Sequence, residues 1–175
     1  MALPSPSATS TALVTGASSG IGEHIARELA ARGHGVTLVA RREDRLRALA
    51  DKLSAEHGIR AEVVAADLAD AEARARLVDE VAARGLQVDI LVNNAGVGTG
   101  GRFQDIALED ELQQVRVLCE AVVDLTHRYV RGMVERRSGA ILIVASTAGM
   151  QPMPFSTSYS AAKAHALGFA EGLHA

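Results

Sequence analysis

The stretch Thr15-Gly16-Ala17-Ser18-Ser19-Gly20-Ile21-Gly22 lies between a short apolar run and a segment with apolar residues at helical spacing. Glycines at a strand-to-helix junction allow a tight turn and a close approach of the backbone to a ligand. The free N–H groups of the following helix favour a bound pyrophosphate. A glycine-rich turn without a ligand is the alternative, but the position between a strand and a helix favours a dinucleotide site. The predicted phosphate-binding residues are Gly16, Ser18, Ser19, Gly20, Ile21 and Gly22.

The rest of the chain alternates short apolar runs with longer amphipathic ones. The predicted strands cover residues 11–15, 36–40, 61–65, 89–93 and 140–145, and the predicted helices cover residues 21–32, 43–57, 71–84, 109–137 and the segment from 158 onward. Alternating strands and helices imply right-handed crossovers and a parallel sheet. Continuous apolar strands suit a sheet that is covered on both faces. The sequence therefore predicts an α/β fold with a Rossmann-type, doubly wound parallel sheet.

Composition and charge narrow the class of protein. The net charge of −3 argues against nucleic-acid binding, which requires a strong basic excess. No apolar run approaches the roughly 20 residues that span a membrane, and residues 1–10 lack the pattern of a signal peptide. The single cysteine, Cys119, cannot form an intrachain disulfide and is expected to be a small buried hydrophobe. We expect a flexible leader over residues 1–10, one nucleotide-binding domain over residues 11–175, a cytoplasmic location, and no metal, membrane or nucleic-acid partner.

The end of the second predicted strand indicates which dinucleotide is bound. Folds that bind NAD usually place an acid there, about 20 residues after the glycine turn, to hold the ribose 2′-hydroxyl. This chain has Ala40 at that place, followed by Arg41 and Arg42. A guanidinium suits a 2′-phosphate, which an acid would repel. We therefore predict NADP(H) as the cofactor, with Arg41 the better candidate; the alternative is that both arginines only solvate the start of the second helix.

Three residues at and after the fifth predicted strand are candidate catalytic groups. Tyr159 and Lys163 are four residues apart, so they share one face of a helix. A free tyrosine has a pKa of about 10 and is a weak acid–base group at neutral pH, but a nearby ammonium lowers that pKa. The pair is therefore a candidate proton donor to a carbonyl that is being reduced. Ser146 ends the fifth strand and is expected to point into the same crevice, because ligands of parallel sheets lie at the carboxyl ends of strands.

Four motifs together resemble those of the short-chain dehydrogenase/reductase family. The glycines of the turn follow the spacing glycine, three residues, glycine, one residue, glycine. The other motifs are Asp67-Leu68 after the third strand, Asn93-Asn94-Ala95-Gly96 after the fourth, and Ser146 followed by Tyr159 and Lys163. The resemblance covers nearly everything after Ser10.

The resemblance implies a role for each of these motifs. Asp67 and Leu68 would lie beside the adenine ring, Asn93 would brace the sheet, and Ala95 and Gly96 would pass close to the adenosine ribose. Ser146 would polarise the substrate carbonyl, Tyr159 would give the proton, and Lys163 would lower the tyrosine pKa and hold the nicotinamide ribose. The implied function is an NADP-dependent oxidoreductase that transfers a hydride between NADPH and a small-molecule carbonyl or alcohol. Copies of the chain would associate through the two helices that flank the fifth strand.

Two departures from the family pattern bear on activity. The family usually carries an asparagine in the long helix before the fifth strand, and Leu118 stands in its place, so a proton relay through that side chain is not expected. The chain also stops at Ala175, where the family continues with a sixth strand, a turn that touches the nicotinamide, a substrate-covering segment and a seventh strand. We therefore expect a C-terminally truncated domain. The alternative function is a catalytically silent nucleotide-binding or interaction protein.

Overall fold

Five strands form one sheet at the centre of the protein, and the structure, a computed structural model, describes residues 3–174. The strands are β1 (Ser10–Thr15), β2 (Val36–Ala40), β3 (Ala61–Ala65), β4 (Gln87–Asn93) and β5 (Ala140–Ile143). Their order is β3-β2-β1-β4-β5, and every neighbouring pair is parallel. The predicted Rossmann-type α/β fold is confirmed.

Helices connect the strands and cover both faces of the sheet. They are α1 (Gly20–Ala31), α2 (Glu43–His57), α3 (Ala71–Ala83), α4 (Leu108–Val115), α5 (Ala121–Glu135) and α6 (Thr157–Leu173). A π-helical turn, Arg116–Glu120, joins α4 to α5. Short 3₁₀ turns lie at Phe103–Asp105 and Thr147–Gly149. None of the helices in residues 3–174 combines the length and the apolar composition that a membrane crossing requires.

Three predicted elements differ from the structure by more than one residue at an end, among them the fourth strand, which begins at Gln87 instead of residue 89. The helix expected over residues 109–137 is interrupted by the π turn, a local change in backbone hydrogen bonding that the spacing of apolar residues does not reveal. The fifth strand was expected to reach residue 145 but ends at Ile143. Val144 still donates its N–H to the carbonyl of Asn93 at 2.9 Å, after which the chain leaves the sheet.

The core consists of two apolar layers, one on each face of the sheet. On one face, Leu46 and Leu53 of α2 share a buried cluster with Val14 of β1. On the other face, Leu125 of α5 shares a second cluster with Leu13, the neighbour of Val14 that points to the opposite side. Each fully buried leucine stabilises the fold by about 1.5–3 kcal/mol. The two layers therefore fix the positions of the strands, and the loops that follow the strands start from fixed points.

The strand order creates a crevice between β1 and β4. The chain builds β1, β2 and β3 outward in one direction and then returns to place β4 on the other side of β1. The connections after β1 and β4 therefore diverge to opposite sides of the sheet, and ligands of such folds bind at this switch point.

Candidate active site

A crevice of about 840 Å³ opens at the carboxyl ends of the strands. Most of the predicted site residues line it: Gly16, Ser18, Ser19, Ile21, Arg41, Arg42, Asp67, Leu68, Ala95, Gly96, Ser146, Tyr159 and Lys163. The exceptions are Gly20, Gly22 and Asn93, which lie outside the lining. The sequence motifs, up to 147 positions apart between Gly16 and Lys163, thus meet in one place.

Two glycines of the turn after β1 are required by a close approach of backbones. A Cβ on Gly16 would lie 2.8 Å from the Cα of Ala95, and Gly16 has φ +68°. A Cβ on Gly22 would collide with the amide of Asn94 and with the carbonyl of Gly16. The turn after β1 therefore packs directly against the loop after β4. Gly20 differs, since its φ of +61° calls for glycine while a Cβ there would meet nothing within 4 Å.

Thr15 and Asn94 hold these two loops together. The Thr15 hydroxyl donates to the carbonyl of Val92 at 3.0 Å and accepts from the N–H groups of Asn94 at 2.9 Å and Ala95 at 3.0 Å. The Asn94 amide donates to the carbonyl of Thr15 at 2.9 Å. Both residues belong to the motifs quoted from the sequence, but neither was predicted to be a site residue. The signal that could have identified them is a polar residue at the end of an otherwise apolar strand, next to the motif glycines.

Asn93 lies beneath the crevice rather than in its wall. Its side chain is buried, and its amide donates to the hydroxyl of Thr126 on α5 at 3.0 Å. This bond ties the end of β4 to the helix that covers it.

The two arginines after β2 have different positions. The Arg42 guanidinium donates from Nη2 to the hydroxyls of Ser18 at 2.9 Å and Ser19 at 2.8 Å, so it reaches across to the glycine turn. Arg41 lines the same crevice without such a bond. Neither arginine forms a salt bridge with a carboxylate within residues 3–174. Two cations without acidic partners among residues 3–174 thus border the glycine turn, and Arg42 is the one that hydrogen-bonds to it, whereas the sequence favoured Arg41.

The three candidate catalytic residues come from the end of β5 and from α6. Ser146 precedes the turn Thr147–Gly149, and its hydroxyl accepts a hydrogen bond from the N–H of Ala148 at 3.1 Å. Lys163 Nζ donates to the carbonyl of Val144 at 2.7 Å and lies 5.9 Å from the centroid of the Tyr159 ring. Burial lowers the pKa of Lys163 from its ordinary value. The expected neighbourhood of Tyr159 and Lys163 on one helical face is therefore present.

The position of α6 depends on Gly149. A Cβ on Gly149 would lie 2.6 Å from both the carbonyl carbon and the carbonyl oxygen of Lys163. The turn after Ser146 thus packs backbone against backbone on the helix that carries Tyr159 and Lys163.

The loop after β4 covers one side of Tyr159. A Cβ on Gly98 would touch the Tyr159 ring at 3.4 Å from Cδ2. The next residue, Thr99, donates its hydroxyl to the buried carboxylate of Glu111 at 2.7 Å and accepts from the Gln114 amide at 2.6 Å. Farther along, the N–H of Gly101 donates to the carbonyl of Phe155 at 2.8 Å. The loop is therefore attached to both α4 and the segment that leads into α6.

Leu118 lies in the π turn and close to the crevice. Its side chain is buried, and its Cδ2 would be 3.4 Å from a Cβ on Gly96. Leucine offers no hydrogen-bond donor or acceptor there. The neighbouring Cys119 is half-buried rather than fully buried, and burial raises the pKa of its thiol.

The chain is similar in sequence to a family of known enzymes. The model of the short chain dehydrogenase family matches residues 10–175. The very-long-chain 3-oxoacyl-CoA reductase of Anas platyrhynchos is 36% identical over 170 residues, which cover 94% of this chain and 54% of the relative. The 11-beta-hydroxysteroid dehydrogenase-like protein 4A of Arabidopsis thaliana is 39% identical over 162 residues, 92% of this chain and 54% of the relative. The chain thus spans about half the length of these curated relatives.

Solved structures agree in fold. The short-chain dehydrogenase from Sphingobium yanoikuyae in complex with NADPH superposes with a TM-score of 0.87 at 36% identity, over 94% of this chain and 64% of that one. L-Sorbose reductase from Gluconobacter frateurii, complexed with NADPH and L-sorbose, superposes with a TM-score of 0.88 at 36% identity, over 98% of this chain and 65% of that one.

Proposed function

Since the chain belongs to the short-chain dehydrogenase family, we propose that it binds NADP(H) and transfers a hydride between the nicotinamide and a small-molecule carbonyl or alcohol. The observation that carries this proposal is the crevice in which the glycine turn, Arg42 and the group Ser146, Tyr159 and Lys163 meet. The family consists of oxidoreductases, and the proposal assigns this chain a cofactor and a substrate class.

Arg42 and the glycine turn support NADP(H) over NAD(H). A 2′-phosphate beside Arg42 would also meet the hydroxyls of Ser18 and Ser19, which already bond to that guanidinium. Arg41 would add a second positive charge on the same side. Charge-assisted hydrogen bonds of this kind are about twice as strong as neutral ones. Two related structures that superpose on this chain contain NADPH.

The protein groups can perform the proton transfer. The Ser146 hydroxyl accepts from Ala148, so its hydrogen remains free to donate to a substrate carbonyl oxygen. Tyr159 would give the proton to that oxygen as it gains charge. Lys163 uses one of its three N–H donors on Val144, which leaves two for Tyr159 and for the nicotinamide ribose. When bound, the cofactor supplies the hydride.

The segment between Ser146 and Tyr159 favours an apolar substrate. Three large apolar side chains are exposed there: Met150 at 75%, Met153 at 38% and Phe155 at 62%. Exposed apolar groups often mark a ligand surface when they form a patch, and this segment joins two residues of the proposed site, although its three apolar side chains do not line the crevice. The very-long-chain acyl group in the name of one relative is of this class.

We also propose that copies of the chain associate through the two helical regions that flank β5, which are residues 109–137 and the helix α6 that carries Tyr159. Val123 and Val134 of α5 are exposed, the latter at 69%. The leader, the single domain and the cytoplasmic location stay predictions of the sequence.

Cofactor titrations test the first part of the proposal. We expect NADPH to bind more tightly than NADH, and Arg42→Ala to weaken NADPH binding by at least about tenfold while leaving NADH binding nearly unchanged. Arg45→Ala, an exposed change on the first turn of α2, is the matched control. Equal affinity for both cofactors in the wild type would contradict the assignment.

Turnover tests the second part. With NADPH and a panel of apolar aldehydes and ketones, wild-type protein should oxidise the cofactor and Tyr159→Phe should not, although it still binds NADPH. Binding without turnover in the wild type would support the silent nucleotide-binding alternative. Turnover retained by Tyr159→Phe would place the proton donor elsewhere.

A further inference from the structure

Arg74 connects the loop after β3 to helix α5. It lies on α3, and its side chain is only 6% exposed. Its Nη1 donates to the carbonyl of Leu68 at 2.7 Å, and its Nε donates to the Asp124 carboxylate of α5, also at 2.7 Å. The Glu120 carboxylate lies farther off, 3.9 Å from Nη2. One buried guanidinium therefore joins three parts of the chain.

The loop itself has a defined internal shape. The Asp67 carboxylate accepts from the N–H of Ala69 at 3.0 Å, and the Asp67 carbonyl accepts from the N–H of Asp70 at 3.1 Å. These bonds join neighbours in sequence, so they shape the loop without locating it on the sheet. At its start, the N–H of Ala66 donates to the carbonyl of Ala40 at 3.1 Å. The hydrogen bond from Arg74 to the Leu68 carbonyl fixes the loop at a second point, two residues after Ala66.

Stability alone does not account for this arrangement. The free energy required to remove two charges from water offsets much of their electrostatic attraction. An apolar side chain of similar size therefore often stabilises a fold as well as a buried ion pair does. An apolar residue at position 74 could fill the space between α3 and α5. It could not donate a directed hydrogen bond to the Leu68 carbonyl, and that bond acts on a residue that lines the crevice.

We propose that Arg74, held in orientation by Asp124, is a positioning residue for the adenosine end of the cofactor. It sets the distance of Asp67 and Leu68 from the glycine turn, while its own side chain does not line the crevice. The inference rests on the proposed NADP(H) site and adds a residue that acts through the loop. Asp124 also bonds to Arg128, so removal of Arg74 leaves that carboxylate one partner and does not isolate it.

Binding of adenosine 2′,5′-bisphosphate, measured by calorimetry, tests this inference without requiring turnover. The ligand carries the adenine, the ribose and the 2′-phosphate but no nicotinamide. We expect Arg74→Met to weaken its binding by about tenfold, because a loop that has lost this anchor must be ordered again when the ligand binds.

Arg136→Met provides a matched control for the loss of stability. Arg136 also donates to a backbone carbonyl, that of Val88 at 2.6 Å, and also lies near a carboxylate, that of Asp89 at 3.1 Å. Those contacts lie near the start of β4, at the end of the sheet opposite the crevice. Arg136→Met therefore shows what the loss of such a guanidinium does to the melting temperature, while binding of the bisphosphate should stay at the wild-type level.

Asp124→Asn is the second variant, for the case that Arg74→Met does not fold. It keeps the shape of the side chain but removes the charge that orients Arg74, and we expect a smaller loss of affinity in the same direction. Unchanged affinity in a folded Arg74→Met or Asp124→Asn protein would overturn the inference, as would an equal loss of affinity in Arg136→Met. Absence of binding in the wild type would overturn the proposed NADP(H) site, and this inference with it.

Discussion

Lys163 is a buried cation whose observed partner is a backbone carbonyl rather than a carboxylate. It is 6% exposed, its ammonium donates to Val144, and within residues 3–174 it takes part in no salt bridge. A buried charge without an opposite charge destabilises a fold. Burial also lowers the pKa of Lys163, because removal from water disfavours the charged form of the amine. A group with this disadvantage is typical of functional sites.

We expect Lys163→Met to abolish activity and to raise the free energy of unfolding by about 1 kcal/mol, because the apolar chain stays buried and the charge is removed. Thermal and denaturant unfolding would measure the change. Lys52→Met is the control, since Lys52 is 53% exposed and pairs only with Glu56 at 3.7 Å. A variant at position 163 that is less stable than the wild type would show that the bond to Val144 outweighs the cost of burial.

Asp124 should make stability depend on acid pH. Burial alone raises the pKa of Asp124, but hydrogen bonds from Arg74 and Arg128 outweigh it, so the pKa lies below the ordinary value of 3.8. A carboxyl whose pKa is lower in the folded state stabilises the fold above its unfolded pKa, and this contribution is lost as the pH falls through the folded pKa.

Acid unfolding of Asp124→Asn tests that dependence. The variant should be less stable than the wild type at neutral pH, and the difference should shrink as the pH falls below 3.8. Asp51→Asn, an exposed change on α2, should show no such convergence. A difference that stays constant over the acid range would rule out the proposed linkage.

At the scale of elements, the site depends on the packing of α6 against the turn after β5. Gly149 has no side chain, and this lets the turn lie against the backbone of Lys163. The carbonyl that Lys163 bonds, that of Val144, lies just before the same turn. Displacement of α6 would therefore disturb two contacts of Lys163 together: the hydrogen bond from its ammonium to Val144 and the packing of its backbone on Gly149.

We expect Gly149→Ala to lower stability by roughly 1–3 kcal/mol and to reduce turnover, because the added methyl group would collide with the Lys163 carbonyl. Gly168→Ala, on α6 itself, is the matched control. A Cβ at position 168 meets nothing within 4 Å, so this change should raise stability by roughly 0.5–1 kcal/mol through helix propensity. Unfolding curves and initial rates would measure both effects, and a neutral result at position 149 would mean that α6 shifts freely.

At the scale of the whole molecule, β5 is an edge strand. It pairs with β4 and, among residues 3–174, with no other strand. Its sequence, Ala-Ile-Leu-Ile, is apolar and uncharged, and Leu142 is 46% exposed. Unprotected edges of this composition promote pairing between chains.

We expect the 175-residue chain to self-associate at micromolar concentration, and Leu142→Lys to reduce this association by placing a charge on the edge. Light scattering against concentration would measure it. Leu3→Lys, at a leucine with a similar exposure of 43% far from this strand in sequence, is the control. If both variants associate like the wild type, the edge of β5 is not the contact.

The fold class, four of the strands nearly to their ends and most residues of the crevice could be predicted from the amino-acid sequence. These features are local. The spacing of apolar residues that indicates a strand or a helix, and the glycine turn, both lie within short stretches of the chain. The π turn was missed because it is a change in backbone hydrogen bonding, which the spacing of side chains does not reveal.

The tertiary structure was needed to identify the polar residues that hold the site together. Thr15 meets Asn94 across 79 positions of the chain, and Arg74 meets Asp124 across 50. It also decided that Arg42, rather than Arg41, reaches Ser18 and Ser19. Such bonds arise where strand order brings distant loops to the same edge of the sheet, and no periodicity within a short window contains that information.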